Sequence, residues 1–296
     1  MAAVTQFVVN GLLVGGLFAA VAVGFALIWG VVDIINLAHG EMVMLGGYVS
    51  YYTLVVLTGS AEVGPIIALA SVPVAVVAVF ALGYVLQRTL VSQVTGTDLF
   101  LTLLVTFGLS IGIQQIALRA FSADPRSINI TLEAASLRLG GLVLPKLKIV
   151  AFGGAILLTA LLFLFLQQTR TGRSIRAVAQ NPEAAALVGI DVEHARAMTF
   201  GLSSAIAAGA GAFIAMILNV QPQMGLIYTL KSFVIVVFGG IGSVPGALVG
   251  GLLLGAVEET VSGVISSRWT LAVSFGLLIV LLIVRPSGLF GEGIEQ

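Results

Sequence analysis

The sequence contains no cysteine, only two histidines, and few charged residues of either sign. The lack of cysteine excludes a disulfide framework, a thiolate metal site and thiol chemistry. The two histidines, His39 and His194, offer little material for metal binding or general-base catalysis. Lysine and arginine number 13, as do aspartate and glutamate, so the charge balance argues against nucleic acid as a partner. Charged residues make up 9% of the chain, whereas an average soluble domain has about 25%.

Long apolar runs account for most of the chain. Hydrophobic residues make up 59% of it, and the mean hydropathy is +1.15. Many runs are long enough to cross a bilayer as helices, and they lack the ten-residue alternation of a membrane barrel. We therefore predict an all-α, polytopic transmembrane helical bundle in a single domain over residues 1–296, embedded in the lipid bilayer. The predicted spans are 7–29, one that starts within 30–48 and ends near 57, 63–86, 99–118, 149–166, 197–218, 226–262 and 271–284.

Glycine and proline interrupt the apolar segment 226–262 in the run FGGIGSVPGALVGG, residues 238–251. Such a break predicts either two spans joined by a tight turn or one broken helix. The chain would then have nine or eight spans in all. The polar passage 119–148 contains the alternating run SLRLGGLVL, which predicts a small surface hairpin.

An unusual polar segment, DIINLAHGEMVMLGGY, follows the first span. Ionisable groups at membrane depth are costly and usually face a cavity or a partner, so we expect Asn36, His39 and Glu41 to have a pathway or gating role. The alternative is a polar membrane boundary whose side chains are simply satisfied. A second interrupted segment lies in the other half of the chain, at 238–251. Paired interruptions indicate an internal repeat with a pathway between its halves.

The most sustained charged passage is 167–196, between two apolar runs. Asn181 is suited to N-cap a helix, Pro182 to its first position and Glu183 to its first turn. Gly189 is suited to end that helix in the left-handed conformation, and Asp191 to cap the next helix. A short helix held outside the bilayer suits a groove on another protein. An ordinary solvated loop is the alternative.

Three motifs in this order resemble the permease subunits of branched-chain amino-acid ABC importers: INLAHGEMVMLGGY at 35–48, TGRSIRAVAQNPEAAALVGI at 171–190 and FGGIGSVPGALVGG at 238–251. The first motif looks more like the shorter, H-type permease than its longer partner. The resemblance covers essentially the whole chain. It implies a bacterial or archaeal inner-membrane protein that transports branched-chain or related hydrophobic amino acids by alternating access.

The resemblance also implies partners: a second related permease, two cytoplasmic ABC ATPases and an extracytoplasmic substrate-binding protein. Residues 168–196 would then be a cytoplasmic coupling loop, and 119–148 an extracytoplasmic loop. The arginine and lysine distribution does not decide the orientation, which rests on the resemblance. The sequence has no G-x-x-x-x-G-K-[ST] phosphate loop, so we expect no cofactor on this chain, with ATP and magnesium bound by the partner ATPases.

Two sets of site residues follow, and no catalytic or metal site is expected. Those expected to couple to an ATPase are Arg173, Arg176, Asn181, Pro182, Glu183, Leu187, Gly189 and Ile190. Those expected along a translocation pathway are Asn36, His39, Glu41, Gly239, Gly240, Gly242 and Pro245, although the last four also suit a simple turn. Lys231 is expected to extend to the surface, and Glu258 and Glu259 to lie at an interface.

Other functions stay open at this stage. The same family pattern extends to urea, short amides and aromatic acids. An ion-coupled secondary transporter would need paired carboxylates in mid-span and no ATPase. An intramembrane enzyme would need a nucleophile beside His39, and the sequence offers no clear one.

Overall fold

The computed structural model describes residues 2–96, 98–131, 136–139, 141–240, 242–284 and 288–289. Parts of the predicted 119–148 passage, residues 132–135 and 140, lie outside this set. Eleven α-helices form in the described residues. They are α1 Ala2–Val32, α2 His39–Thr58, α3 Pro65–Thr89, α4 Leu99–Phe121, α5 Lys146–Gln168, α6 Arg170–Gln180, α7 Pro182–Leu187, α8 Val192–Ala215, α9 Met224–Gly239, α10 Val244–Val264 and α11 Thr270–Val284.

The predicted helical membrane bundle is confirmed. Eight helices of the described chain are long and apolar enough to cross a membrane, and α9 is a shorter apolar helix of 16 residues. The glycine-proline break is a tight turn, because α9 and α10 pack antiparallel on either side of it. A Cβ built on Gly250 would lie 2.9 Å from the carbonyl oxygen of Ile235. At 1.5 Å per residue α9 measures about 24 Å, less than the thickness of a bilayer core.

Two small sheets lie at one end of the bundle. The parallel pair β1 Glu62–Val63 and β2 Asn129–Ile130 joins the α2–α3 connection to the polar passage. The antiparallel pair β3 Ser136–Leu139 and β4 Leu142–Pro145 is the predicted hairpin. Gln6 of α1 exchanges two hydrogen bonds of 2.7 Å with the backbone of Val143. We call this end the hairpin end, and the opposite end, which carries α6 and α7, the coupling end.

The first and last parts of the chain are joined by a seam of glycines between α1 and α10. Gly11 and Gly15 of α1 face Gly251 and Gly255 of α10. A Cβ built on Gly255 would lie 2.5 Å from the carbonyl oxygen of Gly11, which leaves no room for any side chain. Small residues allow such close backbone approach in membranes, where van der Waals packing drives helix association.

The pattern of helix contacts indicates an inverted repeat of α1–α4 in α8–α11. The packing of α1 on α10 matches that of α8 on α3, and the packing of α2 on α8 matches that of α9 on α1. The two copies run in opposite directions: Gly24 of α1 is bonded to Ser203 of α8, whereas Ile28 and Val32 pack with the earlier Phe200.

The structure pairs the two halves differently from the sequence prediction. The segment 33–38, before α2, corresponds to 216–223, before α9, and not to the glycine-rich run 238–251. Gly40 and Gly225 are the second residues of α2 and α9, and they pack against each other. The glycines of 238–251 instead serve the turn and the packing against α1 and α9.

Candidate functional site

The short helix α7 is built from the capping signals that the sequence predicted. Asn181 accepts a hydrogen bond from the backbone N–H of Ala184 at 2.9 Å, and Pro182 occupies the first turn. Gly189 has a φ of +85°, in the left-handed region that favours glycine. Asp191 caps α8 through the backbone N–H of His194 at 2.9 Å. These local predictions are confirmed.

Helix α6 precedes α7 and was missed at the sequence level. Thr169 accepts a hydrogen bond from the backbone N–H of Gly172 at 2.9 Å and so caps it. Its buried face consists of Gly172, Ile175 and Val178, whereas Arg173 and Arg176 are exposed on the other side. This three-residue spacing of apolar and basic positions is the helical signal that could have revealed α6.

The predicted coupling residues form one surface, which we call the α6–α7 surface. Most of them are exposed, and Ile190, which is half-buried, packs against the core. The tip of the surface is apolar, because Leu187 is 89% exposed and Val188 is 77% exposed. An apolar tip beside two arginines is suited to an apolar, acidic groove of a partner protein.

The surface is mounted rigidly on the bundle. A Cβ built on Gly172 would collide with the backbone at the end of α5, so α6 is packed tightly against that helix. Ala185 anchors α7 and is buried. Helix α7 leads through Gly189, Ile190 and the Asp191 cap into α8, so the surface is joined to that helix by a short connection.

The polar segment after α1 starts at the exposed Asp33, but its residues Asn36, His39 and Glu41 are buried inside the bundle. His39 is fully buried, and its Nε2 lies 2.9 Å from the backbone oxygen of Val21. Its ring lies edge-on to Phe25, with centroids 5.4 Å apart. Ser203 of α8 donates a hydrogen bond of 2.6 Å to the carbonyl of Gly24 and lies 3.5 Å from His39 Nδ1. His39 therefore connects α1, α2 and α8.

Glu41 faces a different side of α2, as its two-residue separation from His39 predicts. Ser110 of α4 donates a hydrogen bond of 3.0 Å to its Oε1. Its Oε2 is buried with no hydrogen-bond partner among the described residues. Gly225 of α9 leaves the space that the carboxylate occupies, because a Cβ there would overlap it. Asn36 is also buried, and its side-chain oxygen accepts from the backbone N–H of Ala38 at 3.0 Å.

Thr229 of α9 holds the start of α2 in place. Its hydroxyl accepts a hydrogen bond from the backbone N–H of Gly40 at 2.8 Å and donates to the carbonyl of Leu37 at 3.2 Å. We call the buried polar residues around the start of α2 the central cluster: Asn36, His39, Glu41, Ser110, Ser203 and Thr229. The sequence analysis missed its three hydroxyl residues, because single serines and threonines in apolar helices carry no distinct local signal.

Thr229→Val should destabilise the protein by about 1–3 kcal/mol, because the buried N–H of Gly40 loses its partner while the side-chain shape is kept. Thermal unfolding of the purified protein measures this change. Thr199→Val is the matched control, since that buried hydroxyl bonds only to a carbonyl four residues earlier in α8. An equal effect in both variants would contradict the bridging role.

The other predicted pathway residues do not join the central cluster. Gly239 packs against Gly246 across the α9–α10 turn, and Pro245 lies in the first turn of α10. Gly240 and Gly242 have φ values of +102° and +76°, which suit a turn. Gly242 does line the cleft described next, so a pathway role for these residues stays a prediction.

Two of the cavities in the described part of the chain lie at opposite ends of the bundle. A cleft of about 790 Å³ at the coupling end is lined by Trp29, the segment 30–35, Pro182 of α7 and Arg196 of α8. A pocket of about 340 Å³ lies toward the hairpin end. We call it the lysine–glutamate pocket, after the residues Lys148, Lys231, Glu258 and Glu259 that line it.

Along α1, the central cluster lies at a level between the two cavities. Phe18 of α1 lines the pocket and Trp29 lines the cleft, about 16 Å further along the same helix. The contacts of Val21, Gly24 and Phe25 with the central cluster lie between these two levels. On α9, Tyr228 and Lys231 line the pocket and Thr229 of the cluster lies between them in the chain, so the cluster adjoins the pocket there. This arrangement suits a gate between two compartments.

The prediction that Lys231 extends to the surface is wrong, and an interfacial position of Glu258 and Glu259 stays a prediction. Lys231 and Glu258 face each other inside the bundle. They form an ion pair of 2.6 Å whose side chains are only 15% and 8% exposed. Opposite charges in two separate apolar helices were the available signal, but the sequence does not show that these positions face each other.

The comparisons with known proteins point in one direction. Residues 7–282 match the family described as branched-chain amino acid transport system / permease component. The chain is 33% identical, over 97% of its length and 95% of the relative, to the high-affinity branched-chain amino acid transport system permease protein BraD of Pseudomonas aeruginosa. It is 32% identical to LivH of Escherichia coli K12, with the same coverage. A shorter similarity, 36% over 43% of the chain, links it to the fructose import permease protein FrcC of Rhizobium meliloti.

Proposed function

The chain belongs to the family of branched-chain amino acid transport system permease components, and from this premise we propose that it moves branched-chain amino acids by alternating access. It is a multi-pass membrane protein and a transport permease, the membrane-spanning subunit of an ABC importer. The single structural observation that supports the mechanism is the central cluster, which stands between cavities at opposite ends of the bundle.

In this proposal the chain has no ATPase site of its own. It pairs with a second related permease, and two cytoplasmic ATPases that bind ATP and magnesium dock on the bundle at the α6–α7 surface. The coupling end is then cytoplasmic and the hairpin end faces a substrate-binding protein outside. The membrane is the inner membrane of a bacterium or archaeon.

The movement that powers transport would be carried from the ATPases to the central cluster by α8. Closure of the ATPases moves α7, and α8 carries that movement to Ser203, which bonds to Gly24 and lies beside His39. A shift of α8 against α1 therefore changes the contacts of the central cluster. Opening the cluster toward one cavity while it closes toward the other gives alternating access.

Reconstitution tests the proposal. The chain is co-purified with its partners, placed in proteoliposomes, and assayed for leucine uptake with the binding protein outside and ATP inside. We expect uptake only when both are present, and none with a non-hydrolysable ATP analogue. A chain that purifies alone and transports down an ion gradient is an ion-coupled transporter and overturns the proposal. Uptake of urea, amides, aromatic acids or sugars in place of leucine would keep the transport function but assign a different substrate to it.

His39→Ala should lower uptake by about tenfold while the complex still assembles, because the cluster loses a buried hydrogen bond between α1 and α2. The measurement is the initial uptake rate per assembled complex. Ser50→Ala is the matched control, since it removes a buried hydroxyl of the same helix, bonded to Ser71, away from the cluster. Normal uptake in the His39 variant would assign this residue a structural role only.

A further inference from the structure

We propose that the lysine–glutamate pocket is a binding site in this chain for a zwitterionic amino acid with an apolar side chain. This inference rests on the proposed transport function and names the residues at which the substrate would be recognised. It concerns a site distinct from both the α6–α7 surface and the central cluster.

The pocket presents charges of both signs side by side. Glu258 and Glu259 are consecutive residues of α10, and their lysine partners come from different helices. Lys231 of α9 lies 2.6 Å from Glu258 Oε2, and Lys148 of α5 lies 3.1 Å from Glu259 Oε1. The four formal charges sum to zero, so the pocket does not attract a simple cation or anion. A zwitterion carries one group for each sign and is electrostatically matched to such a pair of ion pairs.

The buried pair is held in position by neighbours. Ser274 of α11 donates a hydrogen bond of 2.8 Å to Glu258 Oε1, which leaves Oε2 for Lys231. The Lys231 ammonium lies 4.2 Å from the centroid of the Phe18 ring. Removing two charges from water is expensive, and a buried ion pair is seldom retained for stability alone. An ionisable pair inside apolar helices therefore indicates a functional site.

The second ion pair is more accessible. The side chains of Lys148 and Glu259 are 20% and 32% exposed, compared with 15% and 8% for the inner pair. An ammonium has three donor positions and a carboxylate about four acceptor positions, so an ion pair leaves both groups able to bind a ligand. The outer pair can thus receive the ligand first, at the end of α5 where Lys148 lies in the first turn.

Part of the remaining wall is apolar. Leu17 and Phe18 of α1, Ile214 of α8 and Ile217 just after it form this part, and hydroxyl residues such as Ser262, Ser267 and Thr270 also line the pocket. The apolar part fits a branched aliphatic side chain. The volume of about 340 Å³ is at the lower end of the range for small-molecule sites and admits one small ligand.

The position of the pocket suits a transport step. Tyr228 lines it, and the neighbouring Thr229 holds the start of α2 in the central cluster. An occupant of the pocket would therefore press on the cluster that lies at a level between the two cavities. In the proposed orientation the pocket lies on the side from which a binding protein delivers its ligand.

The test is leucine binding to the purified complete complex in nanodiscs, without the binding protein. Binding is measured by saturation-transfer NMR at leucine concentrations up to the millimolar range. We expect saturable binding of leucine. Leucinamide, which lacks the carboxylate, and 4-methylpentanoate, which lacks the ammonium group, should each bind about tenfold or more weakly. Fructose should not compete. These comparisons use the unmodified protein, so they do not depend on a variant's folding.

Variants then locate the site. Lys231→Met combined with Glu258→Gln removes both inner charges together, which avoids an unpaired buried charge, and should weaken leucine binding by about tenfold or more. Lys146→Met is the matched control: this lysine begins α5 but does not line the pocket, and its replacement should leave the affinity unchanged.

Three outcomes would overturn the assignment: no leucine binding to the unmodified complex, equal binding of the two analogues, or unchanged affinity in a folded double variant. Parallel uptake assays with ATP and the binding protein separate this failure from failure of the proposed function. If the unmodified complex imports leucine but the pocket does not bind it, only the present inference is wrong. If leucine is not imported at all, the proposed function itself is wrong.

Discussion

Leu187→Asp should lower ATP-driven uptake by at least about tenfold and should release the ATPases from the membrane complex in moderate salt. Leu187 is 89% exposed at the tip of the α6–α7 surface. If this tip is seated in a partner, an aspartate would bury a charge in an apolar groove and remove an anchor side chain. The free energy of ATPase binding would then fall by about 2–4 kcal/mol. Uptake rate and the ATPase content of the purified complex measure the effect.

Leu137→Asp is the matched control for this prediction. Leu137 is an exposed leucine of β3 at the opposite end of the bundle. The substitution therefore introduces the same charge far from the α6–α7 surface. We expect ATPase retention to be unaffected by it. If the Leu187 variant keeps its ATPases and its uptake, α7 is an ordinary exposed segment and the coupling assignment is wrong.

Gly255→Val should prevent stable packing of the bundle. The seam between α1 and α10 has no space at this position, so a branched side chain forces the two helices apart. Overpacking of this kind costs at least about 1–3 kcal/mol, and here it acts along the most closely packed helix pair. We expect a strongly reduced yield of folded protein in the membrane and a lower unfolding temperature for what remains.

Gly153→Val provides the comparison. Gly153 lies within α5, and a Cβ built there meets no heavy atom within 4 Å. Because both glycines lie inside helices, valine changes the helix propensity equally at the two positions. The difference in stability between the variants therefore reports the loss of packing at the seam. Similar stability of the two variants would show that α1 and α10 can separate without penalty.

Local features were the part of this protein that its sequence could predict. The cap of α7 by Asn181 and the left-handed Gly189 depend on neighbours within a few residues, and both were predicted correctly. The long apolar runs gave the spans for the same reason. Helix α6 could also have been predicted, because its arginines and apolar residues repeat with helical spacing.

The features that could not be predicted depend on distant residues. Thr229 lies 189 residues from Gly40 in the chain, yet its hydroxyl holds the start of α2. Lys231 and Glu258 belong to separate helices, and their pairing depends on which faces of α9 and α10 pack against each other. The repeat was expected, but glycine content pointed to the wrong partner segment, since glycines mark close packing as well as breaks. Roles of the cluster and the α6–α7 surface in transport remain predictions.

The seam between α1 and α10 also has a consequence for biogenesis. During synthesis α1 is among the first helices to enter the membrane, and α10 is the last but one in chain order. The glycine face of α1 must therefore wait for its partner until α10 has been made. Domains usually fold as they emerge, but here α1 has no permanent neighbour for its narrow face until that later helix is inserted. Truncation before α10 would leave an inserted chain that cannot mature.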